Sequence, residues 1–150
     1  LANMHVTPGY IEDVPHANSK AFVKKLKAMF PEMVYANEHA GYGYVAVKAM
    51  AAAWAKAGTT ETEAVIAALE SDIEVPEAPG GPWVMRGDQH HGAMNSYLFR
   101  VNDDHSLSFI EDLGFTEPTF LKNIGVDMRK NAPGRQFLPP DNPAWAGFFE

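Results

Sequence analysis

The run from Glu38 to Ala57 constrains this chain more than any other. Ala40, Tyr44, Val47, Ala51 and Trp54 step by four, three, four and three residues, which traces one apolar stripe along an α-helix. The spacing predicts a helix over about Glu38 to Ala57, with Tyr44, Val47, Ala51 and Trp54 as buried core. Alanines on and around the stripe would let a neighbouring helix or sheet approach closely. Gly41 and Gly43 each lower helix propensity by about 1 kcal/mol relative to alanine, so they make sense where something passes close to the backbone. Gly58 supplies the C-terminal stop.

The flanking sequence adds further elements. Asp13-Val14-Pro15 leads into a first helix with Pro15 or Asn18 near its start. In it Phe22, Leu26, Met29 and Phe30 recur opposite Lys24, Lys25 and Lys27, and Pro31 ends it. Thr60 followed by Glu63 is a capping-box pattern that opens a short helix carrying Val65, Ile66 and Leu69. Asn3 to Thr7 reads as a short strand closed by Pro8-Gly9. Beyond Asp72, Trp83 to Arg86, Ser96 to Val101 and Ser106 to Leu113 read as strands, the last two joined by Asn102-Asp103-Asp104. From Glu117 onward, prolines at 118, 133, 139, 140 and 143 mark an irregular tail. Helices followed by strands suit an α/β or an α+β domain, and pattern alone does not choose.

Composition narrows the function classes. The 150 residues, 46% hydrophobic, suffice for one modest core. A formal charge of −7 argues against a nucleic-acid binder, and the three clustered lysines read as the solvated face of the first helix. The absence of cysteine excludes disulfides, zinc ribbons and thiol catalysis. Val45 to Ala57 is the longest weakly polar run; Lys48 and Lys56 interrupt it, and it is too short for about 30 Å of hydrocarbon.

Chemical motifs are sparse. Asp88-Gln89-His90-His91, completed by His105, could start a metal site, but adjacent histidines on a strand point to opposite faces, so a polar turn is the better reading. No serine sits in a nucleophile elbow, and Gly41-Tyr42-Gly43 lies within the helical run without the third glycine of a dinucleotide loop. Glu61 with Glu63, and Asp103 with Asp104, read as helix-start and turn residues. No catalytic residue, cofactor or metal site is expected. The remaining candidate is the start of the long helix, Asn37-Glu38-His39-Ala40. Its free amides could meet the anionic end of a ligand, or Asn37 and Glu38 could simply cap it.

The order of these pieces, from Pro15-His16-Ala17-Asn18 through His39 to Gly58, Thr60 to Leu69 and Pro79-Gly80-Gly81-Pro82-Trp83-Val84-Met85, resembles the C-terminal part of the type I periplasmic solute-binding proteins. That family captures branched-chain amino acids, short amides, urea or aromatic acids for transport. The resemblance implies an α/β chain, part of a two-lobed fold with αβα layers, a mainly parallel sheet and a hinge between lobes. It implies residues 1–9 as an interlobe crossing, 10–100 as part of the first lobe, and 101–150 as part of the second lobe with the tail. The remainder of the protein would lie outside this chain, which would then expose sheet edges and not be an independent domain.

Tyr44 and Gly58 match the family's helix tyrosine and terminal glycine. With these as anchors, a cleft position falls on His39, where amino-acid-binding and amide-sensing relatives carry an aromatic residue. Histidine departs from that pattern but keeps a planar ring that can stack or donate a hydrogen bond. The resemblance therefore implies a ligand site with His39, Glu38 beside it and Tyr10 near the hinge, incomplete because most head-group contacts come from earlier sequence. The implied function is a periplasmic, non-enzymatic component of an ABC importer that delivers a small amino acid or related metabolite to a permease. A cytoplasmic ligand-sensing regulator of the same fold is the alternative, and a small metal enzyme built on His90, His91 and His105 is a third.

Overall fold

The computed structural model describes residues 3–130. Strand β1 (His5–Val6) is followed by three helices, α1 (Ala17–Met29), α2 (Glu38–Ala57) and α3 (Thr62–Leu69). Strands β2 (Ile73–Val75), β3 (Trp83–Arg86), β4 (His91–Val101) and β5 (Leu107–Thr116) come next, and a short helix α4 (Phe120–Asn123) closes the described chain. The tail expected after Glu117 runs into residues 131–150, which lie outside the described residues.

Local chemistry sets the helix ends. α1 begins behind His16, whose Nδ1 accepts from the Asn18 N–H at 3.2 Å, and the Phe30 N–H closes it on Leu26. α2 spans the residues its sequence pattern predicts. Asn37 Oδ1 accepts from the Ala40 N–H, and Gly58 ends the helix at φ 67°, a left-handed conformation that costs glycine little. The expected capping box before α3 does not form. The helix starts at Thr62 behind Glu61, which places Glu63 one position too early to reach back, and Thr59 Oγ1 accepts the Glu61 N–H instead.

All the described strand pairs are antiparallel, in contrast to the mainly parallel sheet expected. For the pairs among β2 to β5 the reason is connectivity. β2, β3, β4 and β5 follow one another through short turns, and a parallel pair needs a crossover of a dozen residues or more. β4 is central: Met94 pairs with Trp83 on one edge and Thr116 on the other, and Phe99 pairs with Val6 and Phe109. Thus β1 and β3 share one edge of β4, and β5 takes the other. β2, absent from the sequence reading, extends the sheet beyond β3.

Two clusters form the core. Val45, Ala49 and Ala53 of α2 and Val65 and Ala68 of α3 lie on Ile73 and Val75 of β2. Tyr10, Ile11 and Val14 gather around Tyr97 and Phe99 of β4, with Phe22 and Leu107 at the margin. Full burial of a side chain such as Phe99 contributes about 1.5–3 kcal/mol.

The buried face of α2 differs from the expected stripe. Gly41, Val45, Ala49 and Ala53 are buried, whereas Val47 is 71% and Trp54 47% exposed, Ala51 is exposed, and Tyr44 is half-buried against Phe22. The expectation that Tyr44, Val47, Ala51 and Trp54 form the core is therefore corrected. Both faces of α2 are apolar, so a period of 3.6 finds two stripes, and the one with small side chains lies flush against the sheet. In α1, Met29 is 72% and Phe30 44% exposed, so the end of its apolar face is also uncovered.

Candidate functional site

The start of α2 is built on two tyrosines resting on two glycines. A Cβ at Gly41 would stand 2.4 Å from Tyr10 Cδ1, and one at Gly9 would stand 1.5 Å from the Tyr42 oxygen. The dipeptides Gly9-Tyr10 and Gly41-Tyr42 therefore interlock, each tyrosine occupying the space that the other's glycine leaves open. This satisfies the expectation of a close approach at Gly41. Gly43 has open space around it and serves no such contact. The Tyr97 hydroxyl donates to the Gly80 carbonyl at 2.9 Å and brings the Pro79-Gly80-Gly81 turn alongside. Between these pieces lies an apolar cavity of about 20 Å³, lined by Tyr10, Tyr42, Gly80 and Trp83, room for about one water molecule.

The expected site residues separate into two layers. His39 is exposed and Glu38 half-buried on the first turn of α2, side by side at the surface. Tyr10 is 2% exposed and lies behind them; its ring packs on Gly41 and its hydroxyl shares a 2.9 Å hydrogen bond with Ser19. Burial raises the Tyr10 phenol above its ordinary value. Burial, with a smaller contribution from the Glu38 carboxylate, also raises Tyr42. Both hydroxyls therefore stay protonated, so Glu38 supplies the negative charge at this end of the helix. Tyr42, Gly80 and Gly81 were missed as neighbours of the site. Tyr42 falls within the helical run, and nothing local in sequence ties it to Gly9.

The segment connecting β1 to α1 is anchored to the segment before α2 by Glu12. Its Oε1 receives Lys27 Nζ at 2.8 Å and its Oε2 the Ala36 N–H at 2.7 Å. Burial works to raise the carboxyl, but these two hydrogen bonds and the lysine charge outweigh it and hold Glu12 below its usual value. Asn18 Nδ2 donates to the carbonyls of Pro76 and Ala78 at 2.9 and 3.1 Å, tying the start of α1 to the loop after β2.

The histidine cluster behaves as a polar turn. His90 adopts φ 50° in the β3–β4 turn and pairs with Glu70 at 3.0 Å, while His91 Nδ1 bonds the Gln89 carbonyl at 2.7 Å. His105 lies in the turn at the opposite end of β4. Among the described residues no three His, Asp or Glu side chains gather as a metal site. Nearby, Arg86 is held between Asp72 and Glu117 beside a polar cavity of about 420 Å³. No described helix is long and apolar enough to cross a membrane.

A family model described as periplasmic binding protein matches residues 1–106. No curated protein matches the sequence. A solute-binding protein of an ABC transporter from Rhodopseudomonas palustris BisB5, solved with 3,4-dihydroxybenzoic acid, superposes with a TM-score of 0.61 and 21% identity, over 77% of this chain and 31% of that one. An ABC transporter substrate-binding protein from Sphaerobacter thermophilus gives 0.62 and 18%, over 75% and 31%. The closed leucine-, isoleucine-, valine-, threonine- and alanine-binding protein from Brucella ovis gives 0.56 and 17%, over 77% and 31%. At these identities the likeness is one of fold, a mixed α/β fragment matching part of type I periplasmic-binding-protein structures. The chain spans about a third of the length of those proteins.

Proposed function

Because the chain belongs to the periplasmic binding protein family, we propose that the whole protein is the periplasmic solute-binding component of an ABC importer and performs no chemistry of its own. The match over residues 1–106 carries this reading. The protein would enclose a small ligand between two lobes by hinge closure and deliver it to a membrane permease. Residues 1–9 would form a crossing between lobes, 10–100 part of the first lobe and 101–150 part of the second.

His39 and Glu38 would face the interlobe cleft, with Tyr10 behind them near the hinge. The solved relatives are described with an aromatic acid in one case and with aliphatic amino acids in another. Both ligand classes carry a carboxylate, to which the free amides of the α2 N-terminus and the His39 ring N–H would donate. Glu38 beside His39 favours an amino acid, because its carboxylate would pair with a ligand ammonium and repel a simple benzoate. A short amide, urea or an aromatic acid comes next. Calorimetry of the whole protein with leucine, alanine, benzoate, acetamide and urea tests this reading. Binding of an amino acid supports it, and no binding by any of the five overturns the ligand assignment.

The rival is a cytoplasmic ligand-sensing regulator of the same fold. Fractionation of the native protein with the periplasm supports transport. Recovery in the cytosol, bound to a partner protein, supports sensing.

A further inference from the structure

The run Asp88-Gln89-His90-His91 holds no metal site, but Gln89 within it is 3% exposed. Ser19 and Gln89 are the buried polar side chains among the described residues. Ser19 is satisfied by the Tyr10 hydroxyl and the Glu12 carbonyl. Gln89 is only half satisfied. Its Oε1 accepts the Lys122 N–H at 3.1 Å, and this fixes the amide's orientation, because the reversed amide would set N–H against N–H. Nε2 is then a buried donor with no acceptor among the described residues. Such a donor costs stability, and native structures normally supply it a partner.

Gln89 lines the polar cavity of about 420 Å³ beside Arg86, a volume within the range of small-molecule sites. Three carboxylates, Asp72, Asp88 and Glu117, and three cations, Arg86, Lys122 and Arg129, line the same space. Most of these charges are already engaged. Arg86 donates to Asp72 at 3.0 Å and to Glu117 at 2.8 Å, and Arg129 holds both oxygens of Asp127 at 2.9 and 3.0 Å. Lys122 Nζ and the Asp88 carboxylate form no ion pair or hydrogen bond among the described residues. A lone anion entering the cavity would meet three carboxylates, and a lone cation would meet three cations. A molecule carrying both signs finds an unengaged partner for each, and the Gln89 amide adds a second donor for its anionic end.

We propose that this cavity binds a small zwitterion, its carboxylate on Lys122 Nζ and the Gln89 amide, its ammonium on the Asp88 carboxylate. A single water would answer the amide but would leave both charges unmatched and most of the space unfilled. The site is separate from the start of α2. Trp83 lines the small cavity there, whereas Arg86 lines this one, about 10 Å farther along β3. The two cavities share no lining residue, so the inference stands whether or not the α2 start holds a solute.

Nuclear magnetic resonance of the full-length protein with isotope-labelled glutamine tests the proposal. The Gln89 side-chain NH₂ signal is identified by its loss in Gln89→Glu, or in Gln89→Met if that variant does not fold. It is then followed against glycine, acetate and methylammonium. Glycine is the smallest such zwitterion, so size does not bar it. Glycine should shift the signal saturably, at a concentration at least about tenfold below that needed by acetate or methylammonium, because only glycine makes both charged contacts. Lys122→Met, at an exposed residue, and Asp88→Asn, at a half-buried one, should each raise the glycine midpoint at least about tenfold. Glycine without a saturable shift overturns the proposal. Acetate acting at the glycine concentration also overturns it and would assign the cavity to a plain anion. A glycine midpoint unchanged in either variant overturns it too, since the solute would then lie elsewhere.

Discussion

Tyr10 rests directly on the backbone of Gly41, where a Cβ would stand 2.4 Å from its Cδ1. The contact joins the turn after β1 to the first turn of α2, so it sets the direction in which the helix start points. Gly41→Ala should destabilise the protein by about 1–3 kcal/mol through overpacking. Gly43→Ala, two residues on with open space around it, should instead stabilise by about 0.5–1 kcal/mol, the ordinary helix preference for alanine. Urea denaturation of the two variants checks both signs. Equal effects would show that Tyr10 yields to the new methyl group.

The flush face of α2 makes a second prediction. Ala53 is fully buried against α3 and the sheet, so Ala53→Leu should cost about 1–3 kcal/mol from forced overpacking. Phe99→Ala, at the centre of the other cluster, should cost about 3–5 kcal/mol. Shifts of the denaturation midpoint at constant slope measure both. An unchanged midpoint for Ala53→Leu would return the buried face to the other stripe.

Glu12 adds a pH dependence. Its carboxyl is held below the usual value of 4.5 in the folded state, so the unfolded chain binds more protons over that interval. Its contribution is therefore fully present above about pH 4.5 and is lost as pH falls through the folded value. Glu12→Gln should flatten the stability profile on the acid side and leave the slope near pH 7 unchanged. Denaturation series between pH 3 and 7 on both proteins test this.

His39→Ala should weaken ligand binding by the whole protein by about 1–3 kcal/mol, the cost of a lost buried hydrogen bond or stack. Stability should change little, because His39 is exposed. Calorimetry with the bound solute decides it. Unchanged affinity would remove His39 from the site and leave the hinge-closure reading in place.

Local elements were legible because their signals are local. α2 and β3 coincide with the spans read from sequence, since Asn37 and Gly58 bracket the one and the apolar run Trp83 to Met85 lies between Pro82 and Arg86 in the other. β4 begins five residues earlier than the Ser96 expected, because its first residues pair with β3, a partner that alternation along one strand does not reveal. The capping box failed for a related reason: Thr60 and Glu63 have the right spacing, but the chain enters α3 one residue late, with Glu61 in the capping position.

Of the candidate site, the helix start with Glu38 and His39 could be read from the capping pattern and the family resemblance. The burial of Tyr10 and the interlocking with Tyr42 could not. The sequence by itself determined where α1, α2 and α3 lie and that the chain resembles periplasmic binding proteins, since both depend on residue order and spacing; α4 fell in what read as an irregular tail. Tertiary structure alone decided which stripe of α2 is buried, that the described strands run antiparallel, and that Tyr10 underlies Gly41. Each of these depends on which surfaces meet across long separations in sequence, and a helix apolar on both faces carries no local signal for that choice.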